Sequence, residues 1–329
     1  MVGPLATALT NAYNLTTEFH DRLLQLVTGQ IFEILEAASR DVTALRETRR
    51  LPNVIWAGTG GYWPGRALSI EVLRRGGAVR RFDHGGGMGL NSLAPLWATT
   101  ELLVSSQFSL PTRRLAERAE SSGVRNFLRK GQSLDIDGGD GDPLHRAASR
   151  IARKAAPGQL RVTYTPPLLT GFQQHLPPLL PDLISLDWQM RFAKKLKTLP
   201  IQLMCRPHPE GLFKNKPHPL AAITPLSSNV FEDLIADTDV FVFEYIQSTA
   251  FYEALCTDRP IVLIDFGLPI YQGKARAMLE ARCRIMPARF DDRNRPHIDT
   301  DQLETAIFSK EDTVDPSWFR SHLIGDEEA

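Results

Sequence analysis

Apolar runs of five to seven residues recur along this chain, most of them followed by a stretch with helical spacing. This alternation constrains the fold more than any other feature. In the first half "VIWAG" from Val54 leads through a glycine-rich turn into "RALSIEVLRRGG", whose closing glycines end a helix. "AVRRFD" follows, then "ELLVSS" at 101–106 as a third expected strand and "TRRLAERAESSG" at 112–123 as a helix. The second half repeats the rhythm through "LRVTYT", "IQLMC", "DVFVFEY" and "PIVLIDF", each separated by a helical pattern, with "CRIMPA" as one more strand and "DQLETAIF" as a last helix. Strand–helix–strand order means parallel sheets and an α/β class. Residues 16–46 carry helical spacing ahead of the first strand.

The 329 residues are enough for two cores. Residues 131–158, with "GQSLDIDGGDGDP" and a closing "APG", read as a linker or mobile loop holding a short basic helix from about 143 to 156. The expected division is an N-terminal domain at 1–130 with its leading helix, the linker at 131–158, and a C-terminal domain at 159–329. Ligand then belongs in the cleft between the strand C-termini of the two βα domains.

Lys+Arg and Asp+Glu are both 38, which argues against a basic nucleic-acid binder. Cys205, Cys256 and Cys283 are too few and too scattered for a disulfide framework or a zinc site. No metal or cofactor is expected. "MVGPLATALTNAYNL" lacks the basic region and long apolar stretch of a signal peptide, and no apolar run approaches the roughly 18 residues of a membrane span. A cytoplasmic protein is expected, and peripheral contact with the inner membrane stays compatible with this.

Four motifs sit at strand ends. "GTGGYWPG" at 58–65 resembles a dinucleotide fingerprint, but Trp63 stands where the third glycine is required for close packing. A tight turn whose glycines, Gly60 and Gly61 among them, face the cleft together with Tyr62 and Trp63 is the better reading. "DHGGGMG" at 83–89 places His84 beside Gly85, Gly86 and Gly87; the glycines let a ligand approach backbone N–H groups, and an imidazole there can serve as a base near neutral pH. In "RPHPEG" at 206–211, Pro207 and Pro209 hold His208 and Arg206 at set angles, as a phosphate site requires. "KPHP" at 216–219 has no strand before it, so His218 reads as loop. In "QST" at 247–249 a hydroxyl caps the coming helix, and a helix N-terminus also attracts anions. Glu253, one turn on, is placed to reach a ribose hydroxyl or to favour the helix dipole.

Taken in order, the strand-end "HGGG", the "TYTPP" strand, "RPHPEG" and "ADTDVFVFEYIQSTAFYEALCTDRPIVLIDF" resemble bacterial surface-polysaccharide transferases of GT-B fold. The pattern is similar to the CDP-glycerol glycerophosphotransferase-like group and to capsule-type CMP-sugar transferases. It spans roughly 54–275 and is densest over 200–270. The resemblance implies two Rossmann-like parallel-sheet domains across a cleft, with the N-terminal domain short, and a metal-independent transferase. It implies a CMP-, CDP- or UDP-linked donor and a saccharide or polyol-phosphate acceptor. It assigns His84 as the base on the acceptor hydroxyl, and His208, Ser248 and Thr249 to the donor phosphates, with Arg206 beside them and Thr165 corresponding loosely to a strand-end hydroxyl. Glu244-Tyr245-Ile246-Gln247 stands before the hydroxyl pair, where relatives often have Asp-Tyr directly before it. Two other readings stay open: an epimerase or hydrolase of the same fold using Asp83 and Glu210, and a non-catalytic nucleotide-binding subunit.

Overall fold

The computed structural model describes residues 2–13, 15–83, 85, 87–155, 158–171, 180–267, 273–309 and 314–326. Helices α1 (Val2–Asn11) and α2 (Thr17–Glu47) form a leading hairpin. The N-terminal sheet follows: β1 (Val54–Ala57), α3 (Trp63–Arg74), β2 (Ala78–Phe82), α4 (Ala94–Thr100), β3 (Gln107–Leu110), α5 (Arg113–Ser121) and β4 (Asp135–Gly138). Helix α6 (Pro143–Ser149) leads to the C-terminal sheet: β5 (Leu160–Thr165), α7 (Asp182–Lys197), β6 (Ile201–Cys205), α8 (Phe231–Ile235), β7 (Val240–Phe243), α9 (Thr249–Cys256), β8 (Ile261–Asp265), α10 (Gly273–Arg282) and β9 (Arg284–Pro287). A two-stranded ribbon of β10 (Arg289–Phe290) and β11 (Pro296–His297) precedes α11 (Thr300–Phe308) and α12 (Ser317–Leu323). No described helix is long and apolar enough to cross a membrane.

The two main sheets are separate and parallel, giving the two Rossmann-like units expected. Their windings differ. The C-terminal order β6-β5-β7-β8-β9 reverses direction at β5, so right-handed crossovers place α7 on one face and α8, α9 and α10 on the other. Val162, Tyr164, Val242 and Ile264 accordingly pack with Trp188 and Phe192 of α7, while Phe241, Phe243 and Leu263 pack with Phe251 and Leu255 of α9. The N-terminal order β1-β2-β3-β4 never reverses, so the same handedness leaves all its helices on one face. Val79, Arg81, Phe108 and Leu110 are buried on that face, and Val54, Trp56, Arg80 and Phe82 are exposed on the other.

Two expectations need correction. The third strand does not lie at 101–106. Leu102–Val104 is a short 3₁₀ turn that drops Leu102 and Val104 into the core, and Ser106 begins the pairing by exchanging hydrogen bonds with Val79, so the strand is β3. The stretch 131–158 is not a plain linker. Leu134-Asp135-Ile136-Asp137 alternates with the period of a strand, and β4 pairs with β3 from Gln107↔Asp135 to Leu110↔Gly138.

The units share one apolar core, which runs from Phe108 and Leu115 to Phe241, Phe251 and Phe319. Helix α12 crosses back to the N-terminal unit. Thr112 Oγ1 donates to the His322 carbonyl, Asp142 N donates to Leu323 O at 2.9 Å, and Arg146 Nη2 donates to Ile324 O at 2.6 Å.

Candidate functional site

In a doubly wound sheet the crevice opens where the strand order reverses, outside the carboxyl ends of the strands. Here that point lies between β5 and β7, which pair as Thr165↔Phe243 at their last residues. Arg206, just past β6, joins the same edge because its backbone N–H donates to Tyr164 O at 2.9 Å. The loop from Glu244 to Ser248 and the start of α9 complete the rim.

Several polar atoms along this edge are buried without a partner: Thr165 Oγ1, Gln247 Nε2 and Glu253 Oε2. Thr165 is 7% exposed and Glu253 4%. Leaving such groups unmade costs roughly 1–3 kcal/mol each, so a row of them marks a place built to receive polar atoms from outside. Burial, then the Glu232 carboxylate, push Glu253 up to about 8 against the pull of Arg206, so at neutral pH it is mostly an uncharged acid able to donate as well as accept. Arg206 donates from Nε to Asn229 O at 3.1 Å and lies over the Phe231 ring, which leaves the rest of its guanidinium for Glu253, Glu232 and an incoming anion.

The other expected residues divide. Ser248 is the N-cap of α9; its Oγ accepts from Phe251 N at 3.2 Å, so the capping reading holds. Thr249, the first helical residue, is exposed, and the N-terminal glycine loop comes down on it at Gly85. Glu210 N donates to His208 Nδ1 at 3.1 Å, which leaves the ring proton on Nε2. Partial loss of hydration and then the Arg206 charge hold the exposed His208 below the ordinary imidazole range, so Nε2–H is a neutral donor at neutral pH. His218 makes the same local turn with Leu220 N at 3.3 Å and packs edge-on against Phe213, consistent with its reading as loop.

The glycine turns behave differently from one another. Gly60 N donates to Glu101 Oε2 at 2.6 Å, and a Cβ there would collide with the Thr100 carbonyl. Gly61 N donates to Thr59 Oγ1 at 3.2 Å. The N–H groups of this turn are therefore already used within the protein, and the turn is anchored to Glu101, which pairs with the buried Arg81 at 4.0 Å. Gly87 is close-packed: a Cβ there would stand 2.8 Å from the Tyr252 hydroxyl of α9. His84 and Gly86 lie outside the described residues. Among the described residues no group of His, Cys, Asp and Glu comes together to hold a metal.

Gln247 and Glu244 gained no role from the sequence. Glu244 is buried at the end of β7 and accepts from the Tyr164 hydroxyl at 2.8 Å and from the Trp188 indole; burial pushes it up to about 8. At neutral pH it is mostly a neutral acid, held by Tyr164 of β5 and Trp188 of α7. An acidic residue directly after an all-apolar strand was the available signal.

No protein-family model matches the chain, and neither does any curated sequence. Solved structures similar to it include S. aureus MnaA in a co-structure with UDP, at 11% identity and a TM-score of 0.48, covering 89% of this chain and 83% of that one. Arabidopsis thaliana UGT89C1 aligns at 8% identity and a TM-score of 0.46, over 92% and 73% of the two chains. Phytolacca americana UGT2, complexed with UDP-2fluoro-glucose and pterostilbene, aligns at 9% identity and a TM-score of 0.43, over 94% and 76%.

Proposed function

We propose that this chain is a GT-B-type transferase that moves a glycosyl or glycerophosphate group from a nucleotide-activated donor to an acceptor hydroxyl, on a surface polysaccharide or a related acceptor. The observation that carries the reading is the row of unpartnered buried polar atoms, Thr165 Oγ1, Gln247 Nε2 and Glu253 Oε2, beside Arg206 at the strand-order reversal. In this reading the donor phosphates lie on the N-terminus of α9, against Thr249, Arg206 and His208 Nε2–H. Those groups meet the charge that builds on the leaving phosphate without requiring a metal. Neutral Glu253 serves the nucleoside side, where an ionised carboxylate would repel the phosphates. His84 is assigned as the base on the acceptor hydroxyl. The enzyme is placed in the cytoplasm.

The epimerase alternative draws less support, since Glu210 is exposed and paired with Lys214 at 2.7 Å.

The test is turnover of CMP-, CDP- and UDP-activated donors by the purified chain. Donor consumption dependent on an added acceptor supports the transferase. Consumption without acceptor, with epimerised or hydrolysed sugar, would replace it with the epimerase or hydrolase. Nucleotide binding with no turnover would make the chain a sensing subunit. His84→Ala is expected to lower the chemical rate about 10²–10⁴-fold with little change in donor affinity.

A further inference from the structure

The side-chain amide of Gln247 is fixed at one end and open at the other. The Tyr245 hydroxyl donates to Gln247 Oε1 at 3.2 Å. Gln247 Nε2 is buried and has no partner among the described residues. An amide carries two donor hydrogens on its nitrogen and acceptor pairs on its oxygen. The tyrosine takes the oxygen, so what stays unmet is a pair of N–H donors. Burial raises the Tyr245 pKa, so its hydroxyl keeps the proton it donates.

The neighbourhood of that amide is rich in donors. Gln247 immediately precedes Ser248, the N-cap of α9, whose backbone is extended at φ −118° and ψ 142°. An extended residue sends the side chains before and after it to the same side, so Gln247 and Thr249 flank the helix terminus together. The positive end of the helix dipole lies there. Thr165, 7% exposed with Oγ1 unpartnered, ends the central strand β5, and Arg206 is tied to that strand through its backbone N–H on Tyr164 O. A ligand that meets two amide hydrogens, a helix terminus and a guanidinium at once presents several acceptors and negative charge. A phosphate does both, whereas a nucleobase edge mixes donors with acceptors and carries no charge.

We propose that Gln247 is a phosphate-binding residue of the donor site, and that Tyr245 is the positioning residue that turns its amide nitrogen toward the phosphate. This rests on the transferase reading given above. An amide fixed beforehand needs no reorganisation as charge builds on the leaving phosphate. Tyr245 acts only through Gln247 and makes no contact with the donor itself.

The test is calorimetric titration of the full chain with UDP, CDP, CMP and inorganic pyrophosphate. Gln247→Ala is expected to weaken the nucleotides and pyrophosphate alike by about 10–100-fold, the value of a hydrogen bond to a charged group. Gln247→Glu, equal in size, is expected to weaken them at least as much, because a carboxylate repels phosphate and has no N–H to give. Tyr245→Phe is expected to weaken them by about 3–10-fold, what one neutral hydrogen bond is worth. In a Gln247→Ala background the same change is expected to cost less than about two-fold, since the two residues act as one unit. An equal loss in both backgrounds overturns the positioning role of Tyr245. Wild-type affinity in both Gln247 variants overturns the proposal and leaves the transferase reading standing. Weakened nucleotides with undiminished pyrophosphate would move Gln247 to the nucleoside and overturn the phosphate assignment. Wild-type affinity in Gln247→Glu alone would mean that the amide oxygen faces the ligand, which overturns it equally. A wild type that binds none of the four probes removes the donor site itself, and the transferase reading falls with the proposal.

Discussion

Thr249, at the start of α9, lies directly against Gly85 of the N-terminal glycine loop: a Cβ added to Gly85 would stand 3.5 Å from Thr249 Oγ1 and 3.9 Å from its backbone nitrogen. A loop from one sheet thereby reaches the helix terminus of the other. The contact distance is ordinary, but Gly85 has φ +109°, which side-chain-bearing residues rarely adopt. Gly85→Ala is therefore expected to cost about 1–3 kcal/mol through its backbone. The same cost should appear in a Thr249→Ala background, within about 0.5 kcal/mol. Urea midpoints for the double-mutant cycle check this; relief of the cost by Thr249→Ala would mean that the contact, not the backbone, sets it.

Ser248 and Thr249 are neighbours with separable jobs. Ser248→Ala removes the N-cap of α9 and is expected to lower stability by about 1 kcal/mol. Thr249→Ala leaves that cap in place. If donor phosphates sit on this terminus, loss of a hydrogen bond to a charged group, about 1.5–3 kcal/mol, raises the nucleotide Kd about 10–100-fold. Melting curves and calorimetric titration with UDP and CDP distinguish the two. Wild-type affinity in Thr249→Ala, for a nucleotide the wild type binds, removes that residue from the site.

Gly60 and Gly61 should respond in opposite ways. Gly60→Ala drives a methyl into the Thr100 carbonyl and disturbs the Gly60–Glu101 hydrogen bond, so a loss of about 2 kcal/mol or more is expected. At Gly61 the nearest atom to an added Cβ is Thr59 Oγ1 at 3.6 Å, and the change should stay within about 0.5 kcal/mol. Equal denaturation midpoints for the two variants would contradict the anchoring of this turn by Glu101.

The alternation of apolar runs and helices was enough to read the two parallel sheets, because each βα unit announces itself locally. Strand order was not, since it depends on contacts between distant segments. Order is what makes one sheet doubly wound and leaves the other bare on the Trp56 face. Strand β4 was legible in Leu134-Asp135-Ile136-Asp137 but was masked by the glycines after it, which favour a loop reading. At the site, residues at strand ends such as Arg206 and Thr165 could be placed from sequence. The capping role of Ser248 was also visible there. What could not be read was satisfaction: Gly60 N–H is taken by Glu101, forty-one residues away in the chain, whereas Gln247 Nε2 is left unpartnered.

Glu253 gives the last prediction. Burial and the Glu232 carboxylate raise its pKa in the folded protein to about 8, well above 4.5 in an unfolded chain. Below the unfolded value both states are protonated and the residue adds no pH dependence. As pH rises from there the unfolded chain releases its proton first, so the folded state loses relative stability until about pH 8, beyond which the penalty is complete. Glu244, also raised to about 8, adds a second contribution of the same sign. Glu253 Oε2 has no hydrogen-bond partner, so Glu253→Gln discards the titration with little loss of bonding. The variant is expected to match the wild type near pH 4 and to exceed it by about 2–4 kcal/mol near pH 9, with the remaining slope owed largely to Glu244. Urea unfolding across this range reads the difference directly. Parallel wild-type and variant curves would show that Glu253 ionises normally, and the neutral acid beside the proposed phosphate site would then be lost from the proposal.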